Sequence, residues 1–254
     1  MAGQPKRRAA REAAAADRQP RLFSNGVYDP YILKAVFLAG GAGSGKGYTS
    51  GGLFTIPRGY PYMMSSVTGL KIVNSDTAFE IFLRRAGIDA GDLATMTPAQ
   101  FAAVTEGPGS PRGRASRVKK ALQASWERGR LGLILDGTGD DYPKIKKERD
   151  HLESLGYDTF MVFVNTSLDV AQLRNASRER KLPAALVDSI WHSVQRNIGD
   201  FREMFGEDMV VIDNTVYGPP PRKMVQTVNR FLARATVNPI GRRWVRDELD
   251  AKRR

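Results

Sequence analysis

The residues whose types and spacing most clearly carry chemistry are Gly40-Gly41-Ala42-Gly43-Ser44-Gly45-Lys46, which fit the pattern G-x-x-x-x-G-K. In such a loop successive backbone N–H groups turn toward anionic oxygens, and a following helix adds its positive N-terminal end. The lysine then reaches the β- and γ-phosphates of a nucleotide. A tight glycine turn with no ligand is the weaker reading, because a strand-like run, Lys34 to Ala39, leads directly into the loop. The pattern departs from its usual form one residue later. Gly47 stands where a Ser or Thr hydroxyl normally meets magnesium, and Tyr48 follows it. Residues Gly40 through Tyr48 are the candidate ATP-binding set.

Two aspartates end apolar runs in the same way. Asp136 closes Leu131-Gly132-Leu133-Ile134-Leu135 and opens Asp-Gly-Thr-Gly, which suits it to hold magnesium or its water. A plain Asp-Gly turn is the alternative. Asp76 follows Lys71-Ile72-Val73-Asn74-Ser75 and heads a helical stretch, so it is either an N-cap or a general base for an attacking hydroxyl. The sequence has no cysteine and only two histidines, His151 and His192, which leaves a hard, oxygen-bound cation as the expected metal.

Basic residues supply the third component. A helix is expected over Leu168 to Arg180, capped from Asn165-Thr166-Ser167, with Arg174 and Arg178 one turn apart on a shared face and Arg180 at its end. Such a segment can neutralise charge on a transferring phosphoryl group; a solvated charged face is the rival reading. A second cluster, Arg112, Arg114, Arg117, Lys119 and Lys120, contains no acid and suits a polyanionic substrate or a solvated face equally. Asp76, Thr138, Arg112, Arg114 and Arg117 form the candidate substrate-binding set.

The elements that must position these residues alternate. Apolar runs at Lys34 to Ala39, Leu70 to Asn74, Leu131 to Leu135, Thr159 to Val164 and Met209 to Ile212 predict buried strands. Helical stretches lie between them at Thr77 to Ala86, Ala115 to Arg128, Tyr142 to Leu155, Leu168 to Arg180 and Pro183 to Phe205, the last with room for a break. Thr97-Pro98-Ala99-Gln100 reads as a helix start, Gly107 to Gly113 as a flexible connection, and Arg222 to Arg234 as a C-terminal helix behind three prolines. Strands alternating with helices imply a parallel sheet covered on both faces.

The Gly-Lys-Gly of residues 45 to 47 resembles the loop of adenylate kinase and other nucleoside monophosphate kinases, although Tyr48 stands where those have Thr. In that family the metal is held mostly by phosphates and water. Val73-Asn74-Ser75-Asp76, Ile134-Leu135-Asp136-Gly137-Thr138 and the arginine segment resemble the zeta-toxin and polynucleotide-kinase group of P-loop kinases over roughly residues 33 to 214. In that group the second-strand aspartate is the catalytic base, and an arginine often follows three residues later, where this chain has Phe79. The resemblance implies a three-layer α/β P-loop NTPase fold with a parallel five-stranded sheet, a helical substrate-binding insertion and an arginine lid. It also implies transfer of the γ-phosphoryl group of ATP, with Mg2+, to a hydroxyl or phosphate acceptor. Lys46, Asp76, Asp136, Arg174, Arg178 and Arg180 would be the catalytic set. The expected division is a basic flexible arm at 1–21, a kinase domain at 22–217 (substrate segment about 77–130, lid about 166–184) and a basic C-terminal helix and tail at 218–254.

Charge bears on the acceptor. Of the net +12, residues 1 to 21 carry +4 and residues 222 to 254 carry +7, so the basicity belongs mainly to the ends. Such ends could attract phosphate backbones or simply keep the protein soluble. Together with the 112 to 120 cluster they would suit an extended polyanion, so the expected acceptor is nucleotide-type, such as a polynucleotide 5′-hydroxyl, with a nucleoside monophosphate or nucleotide sugar as alternatives. A nucleic-acid-binding protein that binds or hydrolyses ATP without any acceptor is the reading from another class. No apolar stretch approaches the roughly 20 residues of a membrane span, and no apolar signal core is present, so a cytoplasmic protein is the expectation.

Overall fold

The computed structural model describes residues 26–56, 65–178 and 180–253; the arm expected at residues 1–21 lies outside them. The apolar runs form five strands: β1 (Lys34–Ala39), β2 (Lys71–Val73), β3 (Leu133–Asp136), β4 (Asp158–Asn165) and β5 (Met209–Asp213). They pair in parallel in the order β2-β3-β1-β4-β5. Every residue of β1 is buried, as expected of a central strand covered on both faces.

Side chains alternate along the strands and so divide into two cores. Phe37, Leu133, Met161 and Phe163 pack with Val194 and Phe201 of one long helix. Val36, Ile134 and Val162 pack on the other face with Leu53, Phe54, Val228 and Phe231. The helices that supply these cores are α1 (Lys46–Phe54), α5 (Tyr142–Ser154), α7 (Ala184–Phe205), α8 (Arg222–Ala233) and α9 (Pro239–Lys252), while α6 (Leu168–Ala176) follows β4 and leads to α7. Helix α7 is continuous where a break had been allowed for, and α9 was not foreseen.

Between β2 and β3 the chain leaves the sheet as α2 (Asp76–Arg85), α3 (Pro98–Thr105) and α4 (Pro111–Arg128). This insertion has its own small core of Phe79, Leu83, Leu93, Val104 and Ala115. Helix α3 begins with a capping box in which Thr97 and Gln100 satisfy each other's backbone N–H groups. The connection expected at Gly107 to Gly113 is instead partly helical: Ser110 caps α4 by accepting from the Gly113 N–H at 3.0 Å. Pro111 takes the first helical position, where its missing N–H costs nothing.

The expected helix Leu168 to Arg180 is also corrected, because α6 stops at Ala176. The Asn175 side chain donates to the Leu182 carbonyl at 2.8 Å and accepts from the Leu182 N–H at 3.0 Å, which folds the chain back before Pro183. Arg178 and Arg180 therefore lie on an irregular connection and share no helical face with Arg174.

Helix α9 is tied to the sheet by Asp158. Its carboxylate receives the Lys34 ammonium at 2.7 Å, with both side chains 3% exposed, and accepts from the Val237 and Asn238 N–H groups at 3.0 and 2.9 Å. Burial pulls the Lys34 ammonium below its usual value, and Asp158 opposes that pull. Asp158→Ala leaves an unpaired cation in the core and is expected to cost about 3–5 kcal/mol of stability in urea denaturation. A loss below about 1 kcal/mol would show that the pair is replaceable by water.

Candidate active site

Parallel strands bring their carboxyl ends to one edge, where ligands of open α/β sheets bind. Gly40 to Gly45 leave β1 there and pass into α1, which begins at Lys46. Gly43 has φ 77°, and a Cβ on it would lie 2.2 Å from the Ala171 carbonyl oxygen. Gly45 has φ 83°, and its Cβ would meet Asn214 Nδ2 at 2.1 Å. Both positions thus require glycine twice over, for conformation and for space. Asn214 pins the loop by donating to the Ser44 carbonyl at 2.8 Å, and the Gly40 N–H donates to the Thr138 carbonyl at 2.8 Å. The Lys46 side chain folds back over the loop, its Nζ donating to the Gly40 carbonyl at 2.7 Å. At Gly47 a Cβ would meet nothing within 4 Å, so the missing hydroxyl is a matter of chemistry and not of packing.

Asn74, at the end of β2, joins the two aspartates. Its Nδ2 donates to Asp136 Oδ2 at 2.8 Å, and its Oδ1 accepts from the Asp76 N–H at 2.6 Å. No role had been assigned to it; an amide two residues before the aspartate in Val73-Asn74-Ser75-Asp76 was the available signal. Burial raises the Asp136 carboxyl above its ordinary value, against the influence of Lys46 and the Asn74 hydrogen bond. Asp76 is the first residue of α2 and does not cap it. Burial would raise its carboxyl too, but Arg180 and Arg112 outweigh that and hold it at about 2. Arg180 donates to Oδ2 at 2.9 Å and Arg112 to Oδ1 at 3.0 Å.

Arg112 reaches the aspartate from the insertion with its guanidinium 3.8 Å from the Phe79 ring centroid. Phe79, which occupies the position of the missing arginine, is a shelf for an arginine arriving from elsewhere in the chain. Arg180 also pairs with Glu80 at 3.4 Å, so the connection after α6 packs over the start of α2.

Three of the expected basic residues are not brought to this centre. Arg174 donates to the Gly43 and Thr215 carbonyls at 3.4 Å each and lies over the Tyr217 ring, while Tyr48 packs on that ring at 4.2 Å. Arg114 covers the Phe82 ring, and Arg117 donates to the Pro108 carbonyl. The turn of α4 explains the split: residues 112, 116 and 119 share one face, and 114 and 117 fall outside it. Arg178 is exposed but borders the phosphate loop.

Two cavities meet here. One, of about 410 Å³, runs along Gly41 to Gly47 and is bounded by Arg178, Arg180 and the apolar Phe79, Leu93 and Phe101. The other, of about 440 Å³, extends over Asn74, Ser116, Lys119, Gly137 and Lys144. Lys46, Asp76, Arg112, Asp136 and Thr138 border both. Among the described residues no group of three or more His, Cys, Asp or Glu could hold a metal alone. One half-buried carboxylate beside a phosphate loop suits magnesium, which keeps water and substrate phosphates as its other ligands. Asp136 would be the protein's contribution.

No helix among the described residues is long and apolar enough to cross a membrane. No family model matches the chain, and no curated protein sequence does. Solved structures match by fold. A chain of the AvrRxo1-ORF1:AvrRxo1-ORF2 complex with sulphate ions has a TM-score of 0.53 at 14% identity, over 82% of this chain and 64% of its own length. This chain thus spans less than two thirds of that relative. A chain of the PezAT chromosomal toxin–antitoxin system of Streptococcus pneumoniae gives 0.50 at 14% identity, over 91% of this chain and 95% of its own. A protein named as a kinase, from Chloroflexus aurantiacus, gives 0.50 at 13% identity, over 79% and 98%. Together with the all-parallel sheet and its glycine loop, these likenesses establish that the chain has the fold of P-loop kinases.

Proposed function

We propose that this protein is an ATP-dependent kinase that phosphorylates the hydroxyl of a small nucleotide-type acceptor. The observation that carries the reading is the shared wall of the two cavities, where Lys46, Asp76 and Asp136 face both ligand spaces. The loop amides and Lys46 hold the ATP phosphates, and Asp136 would hold magnesium, whose charge offsets that of the phosphates when bound. The acceptor oxygen attacks the γ-phosphorus, the bond to the bridging β–γ oxygen breaks, and ADP leaves with that electron pair. The acceptor's proton passes to the Asp76 carboxylate. Arg180, and Arg178 beside it, would turn to the transferring phosphoryl group, which draws Arg180 off Asp76 and restores the carboxylate's basicity.

A small acceptor is favoured over a polynucleotide because Arg114 and Arg117 are spent on Phe82 and Pro108 and form no track into the cleft. Transfer of labelled γ-phosphate from ATP to mononucleotides, nucleotide sugars and oligonucleotides tests the reading. Phosphate on a small acceptor, with affinity only mildly sensitive to salt, is the expected result; a steep salt dependence on oligonucleotides would reinstate the extended substrate. ATP consumed with phosphate reaching no acceptor would move the protein to the class of ATP-hydrolysing switches.

A further inference from the structure

We propose that Asn74 is a positioning residue that turns Asp136 to offer a single oxygen to the nucleotide-bound cation, so that the site selects magnesium over calcium. The inference rests on the kinase reading and gives a role to a residue which that reading leaves unused. Asn74 is the first residue beyond β2 and Asp136 the last of β3, and the pairing of Val73 with Leu135 sets the two side by side at the sheet edge. Both border the cavity of about 440 Å³.

Both ends of the Asn74 amide are committed. Its Nδ2 donates to Asp136 Oδ2 at 2.8 Å, and its Oδ1 accepts from the Asp76 N–H at 2.6 Å. An ionised carboxylate only accepts and a peptide N–H only donates, so these partners fix both the orientation of the amide and the residue type. Aspartate would set two acceptors against each other, and serine offers one atom where two are used. The second bond anchors the amide itself: Ser75, the N-cap of α2, makes no capping hydrogen bond, and Asn74 takes one of the helix's free N–H groups instead. Asp136 Oδ2 is thereby held, while its Oδ1 accepts no hydrogen bond among the described residues. Hydrogen bonds of this kind fix the direction from which a carboxylate meets its cation. Magnesium demands near-ideal octahedral geometry, which one carboxylate oxygen satisfies and a chelating pair does not; calcium accepts either. A freed Asp136 would turn and offer both oxygens.

Calorimetry of a non-hydrolysable ATP analogue, with magnesium, with calcium and with EDTA, tests this in the wild type, Asn74→Leu and Asn74→Ser. Affinity with magnesium is expected to fall about tenfold or more in both variants, while affinity with calcium and affinity in EDTA each stay within about threefold of wild type. The side chain is half-buried, and Asn74→Ser carries the test should Asn74→Leu fail to fold. Equal losses with the two cations, or an equal loss in EDTA, would mean that Asn74 only supports the fold, and overturns the proposal. So does unchanged magnesium affinity in the variants, or wild-type binding that magnesium does not strengthen. A wild type that binds the analogue under none of the three conditions overturns the kinase reading and this inference with it.

Discussion

Replacing Asp76 by asparagine is expected to slow phosphoryl transfer by about 10²- to 10⁴-fold while affinity for ATP stays within about threefold of wild type. The carboxylate borders the cleft but belongs to α2 and not to the phosphate loop, so its loss should fall on the chemical step. In the free protein Arg180 and Arg112 hold it at about 2, and it is ionised at any working pH. The pH profile of kcat/KM, which reports the free enzyme, should therefore show no acid limb from this group in the ordinary carboxylate range. The profile of kcat reports the bound complex, where on the proposed mechanism Arg180 would turn toward the phosphoryl group, and its acid limb should then lie higher. The substitution also removes two ion pairs. With the Asp76 side chain 43% exposed, these are worth little more than about 1 kcal/mol to the fold. Arg112→Gln separates the causes, since it removes one of the ion pairs and keeps the carboxylate. An undiminished rate in Asp76→Asn would remove Asp76 from the mechanism.

What could be read before the structure was whatever a short stretch of chain decides. Parallel strands buried on both faces are continuous apolar runs, so the β1 expectation matches to the residue and the other four overlap the observed strands within a few residues. The capping box at Thr97 and the start of α7 beside Pro183 are equally local. The end of α6 was missed because the bonds that stop it run from Asn175 to Leu182, beyond the reach of helix periodicity. Helix α9 was missed because its anchor, Asp158, is about eighty residues distant in the chain. At the site the same division holds. Lys46 and Asp136 announce themselves by motif, whereas Arg112 is distinguished from Arg114 and Arg117 only by the direction in which α4 turns them. The substitution of Phe79 for an arginine became intelligible only once Arg112 was found lying on its ring.

Lys46→Met should do more damage than the loss of one phosphate contact. Removing a single preorganised donor to a developing charge costs about 10²–10³ in rate, and that is the expected fall in kcat. A second loss arises because Lys46 is also the leading influence that opposes burial in setting the Asp136 carboxyl. Without the ammonium that carboxyl moves further above its ordinary value, and a larger fraction of it carries a proton as pH falls. A carboxylate must be deprotonated to ligate a cation. The variant should consequently need more magnesium than wild type, and the excess should be greatest at acidic pH and shrink as pH rises. Magnesium titrations of ATP binding at two pH values measure this directly. Lys46→Arg divides the two effects, because it keeps the positive charge beside Asp136 while placing a planar fork where a point charge reached the phosphates. It should recover the magnesium requirement and leave much of the rate defect. Equal magnesium requirements in Lys46→Met and wild type at both pH values would show that Asp136 is not the cation's ligand.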